Sequence, residues 1–148
     1  MASIQINNAA ELAWADLHVG ASANFAVTLT SRLATAFFKL SGDFNPLHTN
    51  QKYARATRFG QVVVPGMLLA SFFSKLIGMH LPGKNSLYLS QNLEFKQPAF
   101  MGDTVLVSGK ITKLSINLQL MTLKTTIHRQ SDHQLLVDGE ARVLFLTG

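Results

Sequence analysis

The first third of the chain changes from an alternating pattern to a helical one. Residues Ala23 to Thr30 alternate between apolar and polar and are rich in strand formers, which predicts a first strand. An amphipathic helix follows, because apolar residues recur at the spacing of one helical face at Leu33, Phe37 and Leu40. Thr30 or Ser31 can cap its start, and Gly42 is placed to end it.

The most apolar stretch predicts a helix at the centre of the fold. It runs from Pro65 to Ile77, and apolar residues occur all round it, so we expect burial on most sides. The wider segment 62–81 has the length of a membrane span, but Lys75 near mid-bilayer would cost about 2.5–3.5 kcal/mol. We therefore expect a helix buried within the protein, and no membrane partner.

Strands account for most of the remainder, after a short helix through Thr57 that Thr49 or Asn50 could cap. Turn signals separate four further strand-like segments: Leu87–Lys96, Thr104–Leu114, Ile116–Arg129 and Leu135–Leu146. Residues 131–134 read as a hairpin turn. A long antiparallel sheet around one apolar helix satisfies this order of elements.

The composition favours a single domain over residues 1–148, with a polar lead-in at residues 1–20. The chain is 47% hydrophobic and 14% charged, against about 25% charged residues in typical globular proteins. That combination argues against disorder. It also suggests a partner that covers part of the surface, and a homodimer is the simplest such partner.

Charge and cysteine content exclude several kinds of site. The net charge is +5, but the basic residues are spread singly from Arg32 to Arg142, which argues against nucleic-acid binding and fits an anionic small-molecule substrate. The absence of cysteine excludes disulfides, zinc–thiolate sites and a cysteine nucleophile. Residues 1–20 have neither the basic nor the apolar region of a signal peptide, so we expect a cytoplasmic protein.

A carboxylate and an imidazole lie five residues apart in the segment Ser41-Gly42-Asp43-Phe44-Asn45-Pro46-Leu47-His48. The proline disfavours the helical conformation at the residue before it, and Asp and Asn favour tight turns. The turn can therefore direct both side chains to one point. Motifs for nucleotide phosphates, dinucleotides, zinc proteases and serine hydrolases are missing from the sequence, and we expect no cofactor and no metal.

This octapeptide resembles the signature of the MaoC-like, (R)-specific enoyl-CoA hydratases, whose pattern is close to Ser-x-Asp-x-Asn-Pro-hydrophobic-His. The segment from Gly66 to Ser74 is similar to that family's central helix, and residues 81–96 are similar to its first long strand. The resemblance covers residues 20–147, nearly the whole chain. One departure is Pro65, at a position where the family often has histidine.

The resemblance implies an α+β hot-dog fold, in which an antiparallel sheet wraps around one long central helix, usually in a dimer. The reaction it implies is the reversible hydration of a trans-2-enoyl-CoA to the (R)-3-hydroxyacyl-CoA. Asp43 and His48 match the catalytic pair, and Ser74 matches a serine that supports them. Gly66 matches the backbone donor to the thioester carbonyl, and Asn45 is expected to support the pair by bonding its own turn.

This chemistry is physically reasonable for these residues. An ionised Asp43 and a neutral His48 can hold one water between them, although the sequence leaves open which of them takes its proton. The N–H of Gly66, at the start of the predicted helix, has no intrahelical acceptor. A donor of this kind contributes about 2.7–4 kcal/mol in the transition state, and glycine would let the thioester approach closely.

Three other functions stay open. The chain could be another hot-dog enzyme, either an acyl-carrier-protein dehydratase or a thioesterase, or it could be a non-catalytic acyl-CoA-binding module. Residues 57–64, and Val62 to Val64 in particular, are expected to shape the acyl pocket because they follow the active turn. Four basic residues are candidates for contacts to CoA phosphates: Arg55, Arg58, Lys84 and Lys96. Most of the phenylalanines are expected in the core, and some could line an acyl tunnel.

Overall fold

The computed structural model describes residues 8–147, which form one sheet and a set of helices between its first two strands. The elements are β1 (Ser22–Thr28), α1 (Ser31–Ser41), α2 (Pro46–Thr49), α3 (Gln51–Arg55), α4 (Gly66–Lys75), β2 (Ser86–Phe95), β3 (Thr104–Ser115), β4 (Leu120–Arg129) and β5 (Leu135–Phe145). A 3-10 turn at Trp14–Asp16 precedes β1, and a π-helical turn at Leu76–His80 extends α4.

All strand pairs in the sheet are antiparallel, in the order β1-β3-β4-β5-β2. The register places Val107, Ile127 and Val137 side by side on three neighbouring strands. All three side chains are fully buried, because alternate residues of a strand share one face. They lie in one cluster with Leu69 and Phe73 of α4. The sheet therefore packs on the central helix, and the predicted hot-dog fold is confirmed.

The core fixes the position of α4. Burying a large aliphatic or aromatic side chain contributes about 1.5–3 kcal/mol, and Leu68, Leu69, Phe73 and Leu76 are all buried along this helix and its extension. A second cluster around Ile77 and Met121 continues the core toward the lead-in. Because α4 is held along its length, its first residue has a fixed place in the fold.

One prediction about a buried face was wrong. In α1, Ala34 and Phe38 are buried, whereas Leu40 is 87% exposed. Ala34 and Phe38 are four residues apart, as are Leu33 and Phe37 on the predicted face. The spacing alone therefore does not decide which of these two neighbouring faces packs on the core. The helix α4 is buried on most sides, as expected, but Met67, Ser71, Ser74 and Lys75 are exposed, so one face of this helix is open in the single chain.

Several boundaries also differ from the sequence prediction. Strand β4 starts at Leu120, because residues 116–119 form the turn that joins it to β3, with Gln119 at φ 50°. The predicted short helix is α3, which Asn50 caps and which ends at Arg55, and the turn before it contains a further short helix, α2, that the sequence did not predict. Thr30 caps α1, and Gly42, at φ 75°, ends it as predicted. Within residues 8–147 no helix is long and apolar enough to cross a membrane.

Candidate active site

The turn after α1 is built from side chains that each accept a backbone hydrogen bond two residues further on. Ser41 Oγ accepts from the N–H of Asp43 at 3.1 Å, Asp43 Oδ1 from that of Asn45 at 3.2 Å, and Asn45 Oδ1 from that of Leu47 at 2.9 Å. Such bonds explain why Ser, Asp and Asn are favoured in turns. They hold one carboxylate oxygen of Asp43 in the turn and leave Oδ2 to face the site. Asn45 supports its own turn, as expected.

His48 lies on α2, and its ring is oriented by a backbone carbonyl. The Nδ1 atom lies 2.6 Å from the carbonyl oxygen of Val63. Because a carbonyl oxygen only accepts hydrogen bonds, Nδ1 carries the proton, and Nε2 of the neutral ring is an acceptor. Val63 is itself held in place, since its N–H donates to Leu47 O at 3.1 Å and it bridges to Phe100. Sequence reasoning missed this role of Val63.

The structure brings Asp43 and His48 together. Asp43 Oδ2 lies 3.9 Å from His48 Nε2, with the two side chains 44% and 15% exposed. This separation is too long for a direct hydrogen bond. A water oxygen about 2.8 Å from each atom would donate one hydrogen to the carboxylate and one to the imidazole. The pair can therefore hold and polarise a single water molecule.

Gly66 is the first residue of α4, and Pro65 is the N-cap. Within residues 8–147 the Gly66 N–H donates to no acceptor, which is typical of the first turn of a helix. The helix dipole adds partial positive charge at this end. The proline that departs from the family pattern leaves this donor in place, because the N–H belongs to Gly66.

Asp43, His48 and Gly66 line one cavity of about 440 Å³. Of the four predicted phosphate contacts, Arg58 and Lys96 line it and Arg55 and Lys84 do not. Lys96 is paired with Glu94, whose hydrogen bond raises the pKa of the lysine. Arg58 makes no ion pair within the described part of the chain, and its guanidinium lies 4.9 Å from the centre of the Phe59 ring.

A second cavity of about 720 Å³ lies between α1, α4 and β2 and shares Asp43 and Met67 with the first. Ser74 lines this second cavity, and among residues 8–147 it makes no hydrogen bond to Asp43 or His48. Ser74 and Asp43 therefore border the same cavity, with no hydrogen bond between them among the described residues. Its direct support of the pair stays a prediction.

Two polar side chains of β2, Tyr88 and Gln91, line the second cavity, and sequence reasoning missed them. The Tyr88 hydroxyl bonds the Gln91 amide oxygen, and Gln91 Nε2 donates to Thr125 Oγ1 at 2.9 Å. Gln91 reaches Thr125 across Gly139, where an added Cβ would lie 2.7 Å from Gln91 Nε2. Burial raises the pKa of Tyr88 to about 12. Thr125 is fully buried, so this network satisfies a polar group in the core.

Comparison with known proteins gives consistent matches over most of the chain. Residues 17–131 match the model of the MaoC like domain. The chain is 45% identical over 127 residues to an (R)-specific enoyl-CoA hydratase of Aeromonas caviae, covering 86% of this chain and 94% of the relative. It is 36% identical to an (R)-specific enoyl-CoA hydratase of Rhodospirillum rubrum, with 87% and 88% covered.

A third relative acts on another carrier according to its name. It is the mitochondrial 3-hydroxyacyl-[acyl-carrier-protein] dehydratase FERN of Solanum lycopersicum, 33% identical, with 86% of this chain and 77% of the relative covered. Among solved structures, an (R)-hydratase from A. caviae involved in PHA biosynthesis superimposes with a TM-score of 0.84 at 44% identity. That match covers 87% of this chain and 97% of the other.

Proposed function

Because this chain belongs to the MaoC-like domain family, we propose that it is an (R)-specific enoyl-CoA hydratase, a hydro-lyase that adds water to trans-2-enoyl-CoA. One observation carries the proposal: the two acceptors Asp43 Oδ2 and His48 Nε2 lie 3.9 Å apart in the same cavity as the N–H of Gly66, which has no acceptor among the described residues. Hydration of an enoyl thioester needs an oriented water and a donor for charge on the thioester oxygen. The names of the two most similar relatives reported above agree with this activity.

The reaction follows from the positions of these groups. The water held by Asp43 and His48 attacks C3 of the enoyl group, and its proton passes to His48 Nε2. The imidazolium so formed lies beside the Asp43 carboxylate, which stabilises it. The C2=C3 electrons move to the thioester oxygen, where the Gly66 N–H contributes about 2.7–4 kcal/mol. These electrons return to C2 and form a C–H bond with the proton that Asp43 and His48 deliver. The hydroxyl group is thus added at C3 and the hydrogen at C2, which together make one water.

The cavities suggest how the substrate lies. Arg58, at the first cavity and free of ion pairs among the described residues, is the best placed cation for a CoA phosphate. We propose that the acyl chain extends from the shared residues Asp43 and Met67 into the second cavity. Val63 and Val64 line the first cavity and not the second, so an influence of this segment on chain-length preference stays a prediction. Replacing both by smaller residues should change that preference.

We propose that the working form is a homodimer. Strand β2 is an edge strand, and Leu87 and Leu89 on it are 48% and 49% exposed. An exposed apolar edge strand is a template for pairing with another chain, and the open face of α4 is a further surface to cover. Light scattering should give twice the chain mass. A cytoplasmic location and a role in supplying polyhydroxyalkanoate precursors stay predictions, which fractionation and gene deletion would test.

The deciding experiment follows loss of the conjugated enoyl-thioester absorbance of crotonyl-CoA. We expect rapid loss with the wild-type protein, and a product that an enantiomer-specific dehydrogenase identifies as (R)-3-hydroxybutyryl-CoA. Asp43→Asn and His48→Gln should each abolish turnover while the folded state persists. Absence of turnover on short and medium enoyl-CoA chains would contradict the proposal.

The second candidate function is dehydration on an acyl carrier protein, which the tomato relative's name favours. The same pair would serve both carriers, because the chemistry at C2 and C3 is unchanged. Crotonyl loaded on an acyl carrier protein separates them: a carrier-protein enzyme would use it with a much higher kcat/KM than crotonyl-CoA. Release of a free thiol from either substrate would instead indicate a thioesterase.

A further inference from the structure

Phe95 is an aromatic residue that lies half exposed beside the proposed site. It is the last residue of β2, its exposed fraction is 52%, and it lines the cavity that holds Asp43, His48 and Gly66. Burial of an aromatic ring is strongly favourable, so an exposed ring in a catalytic cavity is a candidate for a role in binding.

The Phe95 ring occupies the place that a side chain at position 66 would need. A Cβ added to Gly66 would lie 2.8 Å from Cδ1 and from Cε1 of this ring, closer than carbon atoms approach without bonding. The ring therefore packs on the backbone of Gly66 at the start of α4. This contact gives a reason for glycine here that is separate from the approach of a thioester.

Both partners of this contact are fixed by the fold. The backbone of Phe95 pairs with Val137 of β5, and the next N–H, that of Lys96, donates to Leu136 O at 2.8 Å. Gly66 is fixed because α4 is anchored in the core. The ring is thus presented to the helix start by the sheet and does not depend on a loop.

We propose that Phe95 is a positioning residue of the hydration site, whose ring excludes water from the Gly66 N–H and holds the thioester against it. The proposal rests on the proposed function. A hydrogen bond to a developing oxyanion strengthens when water is kept away, because the local dielectric constant falls. The effect grows as charge develops in the transition state, so it belongs mainly in kcat and less in KM.

The first test replaces the ring and measures hydration of crotonyl-CoA. Phe95→Leu and Phe95→Ala should lower kcat about tenfold, a part of the 10²–10³ that a complete oxyanion donor contributes, with a smaller change in KM. The matched control is Tyr53→Leu: Tyr53 is 51% exposed and lines neither cavity, so its kcat should not change. A merely structural role for Phe95 would lower the melting temperature and leave kcat and KM unchanged, which would overturn the proposal.

The second test is a double-mutant cycle with Gly66→Ala, which keeps the N–H and adds the colliding Cβ. If the ring is what requires glycine, Gly66→Ala should lower kcat in the wild-type background and have little further effect in the Phe95→Ala background. Equal losses in both backgrounds would overturn the proposal, since the thioester alone would then require glycine. Failure of the wild type to hydrate any enoyl-CoA would refute the proposed function, whereas unchanged kcat in active Phe95 variants would refute only this inference.

Discussion

His48 makes two contacts that substitutions can separate. Its Nδ1–H donates to the Val63 carbonyl at 2.6 Å, and its Nε2 faces Asp43 Oδ2 at 3.9 Å. In His48→Asn the side-chain amide NH₂ can replace the Nδ1–H donor, but no atom reaches the position of Nε2. In His48→Ala both contacts are lost. The two variants therefore share a catalytic defect and differ in stability.

The expected magnitudes follow from these contacts. Loss of a general base lowers the rate by about 10²–10⁴, which is about 2.7–5.4 kcal/mol in the activation barrier at 1.36 kcal/mol for each factor of ten. This loss should appear in both variants. A buried carbonyl without a donor costs about 1–3 kcal/mol. Because the His48 side chain is only 15% exposed, His48→Ala should be less stable than His48→Asn by an amount in that range.

Two assays test these expectations. Hydration of crotonyl-CoA gives kcat/KM for each variant, and urea unfolding gives the free energy of unfolding. The reasoning is refuted if His48→Asn keeps its rate within a factor of ten of the wild type, since Nε2 would then not be the base. Equal unfolding free energies for the Asn and Ala variants would show that the Val63 bond does not hold the ring.

Three further predictions concern substrate binding and pH. Arg58→Ala should raise KM for crotonyl-CoA but not for crotonyl-pantetheine, which lacks the nucleotide phosphates. Lys96→Ala should raise KM less, because Lys96 is already paired with Glu94. An equal rise in KM for both substrates in Arg58→Ala would contradict this prediction. Burial raises the pKa of Tyr88 to about 12. In Tyr53→Phe, where Tyr88 is the one remaining tyrosine, the tyrosinate absorbance should therefore titrate near that pH. The free energy of unfolding should fall above about pH 10, because the unfolded state loses this proton first. The ammonium of Lys124, 2.6 Å from Asp138 Oδ1, lowers the pKa of Asp138 below its ordinary value of 3.8, so the carboxylate contributes stability above that pH. This contribution should disappear as the pH falls through the lowered pKa, and Asp138→Asn should lack that part of the acid dependence of unfolding.

Much of the site could be predicted because its interactions are local in sequence. Gly42 ends α1 in the left-handed conformation, Asn45 caps α2, and Pro46 starts it. These effects act over two to five residues, so the octapeptide is enough to place Asp43 near His48. Pro65 and the apolar run after it likewise place a helix start within one residue of Gly66, although Pro65 is the N-cap and not the first helical residue.

The remaining features depend on contacts between residues that are distant in the chain. The tautomer of His48 depends on its contact with Val63, and the need for glycine at position 66 depends on Phe95. Arg58 and Lys96 are favoured over Arg55 and Lys84 because only the first two lie on elements that border the cavity. The face of α1 that is buried depends on how the helix is rotated against the sheet. Helical period and turn chemistry are local properties and can be obtained from the sequence. Rotation, register and the facing of side chains are decided by the packing of the whole core.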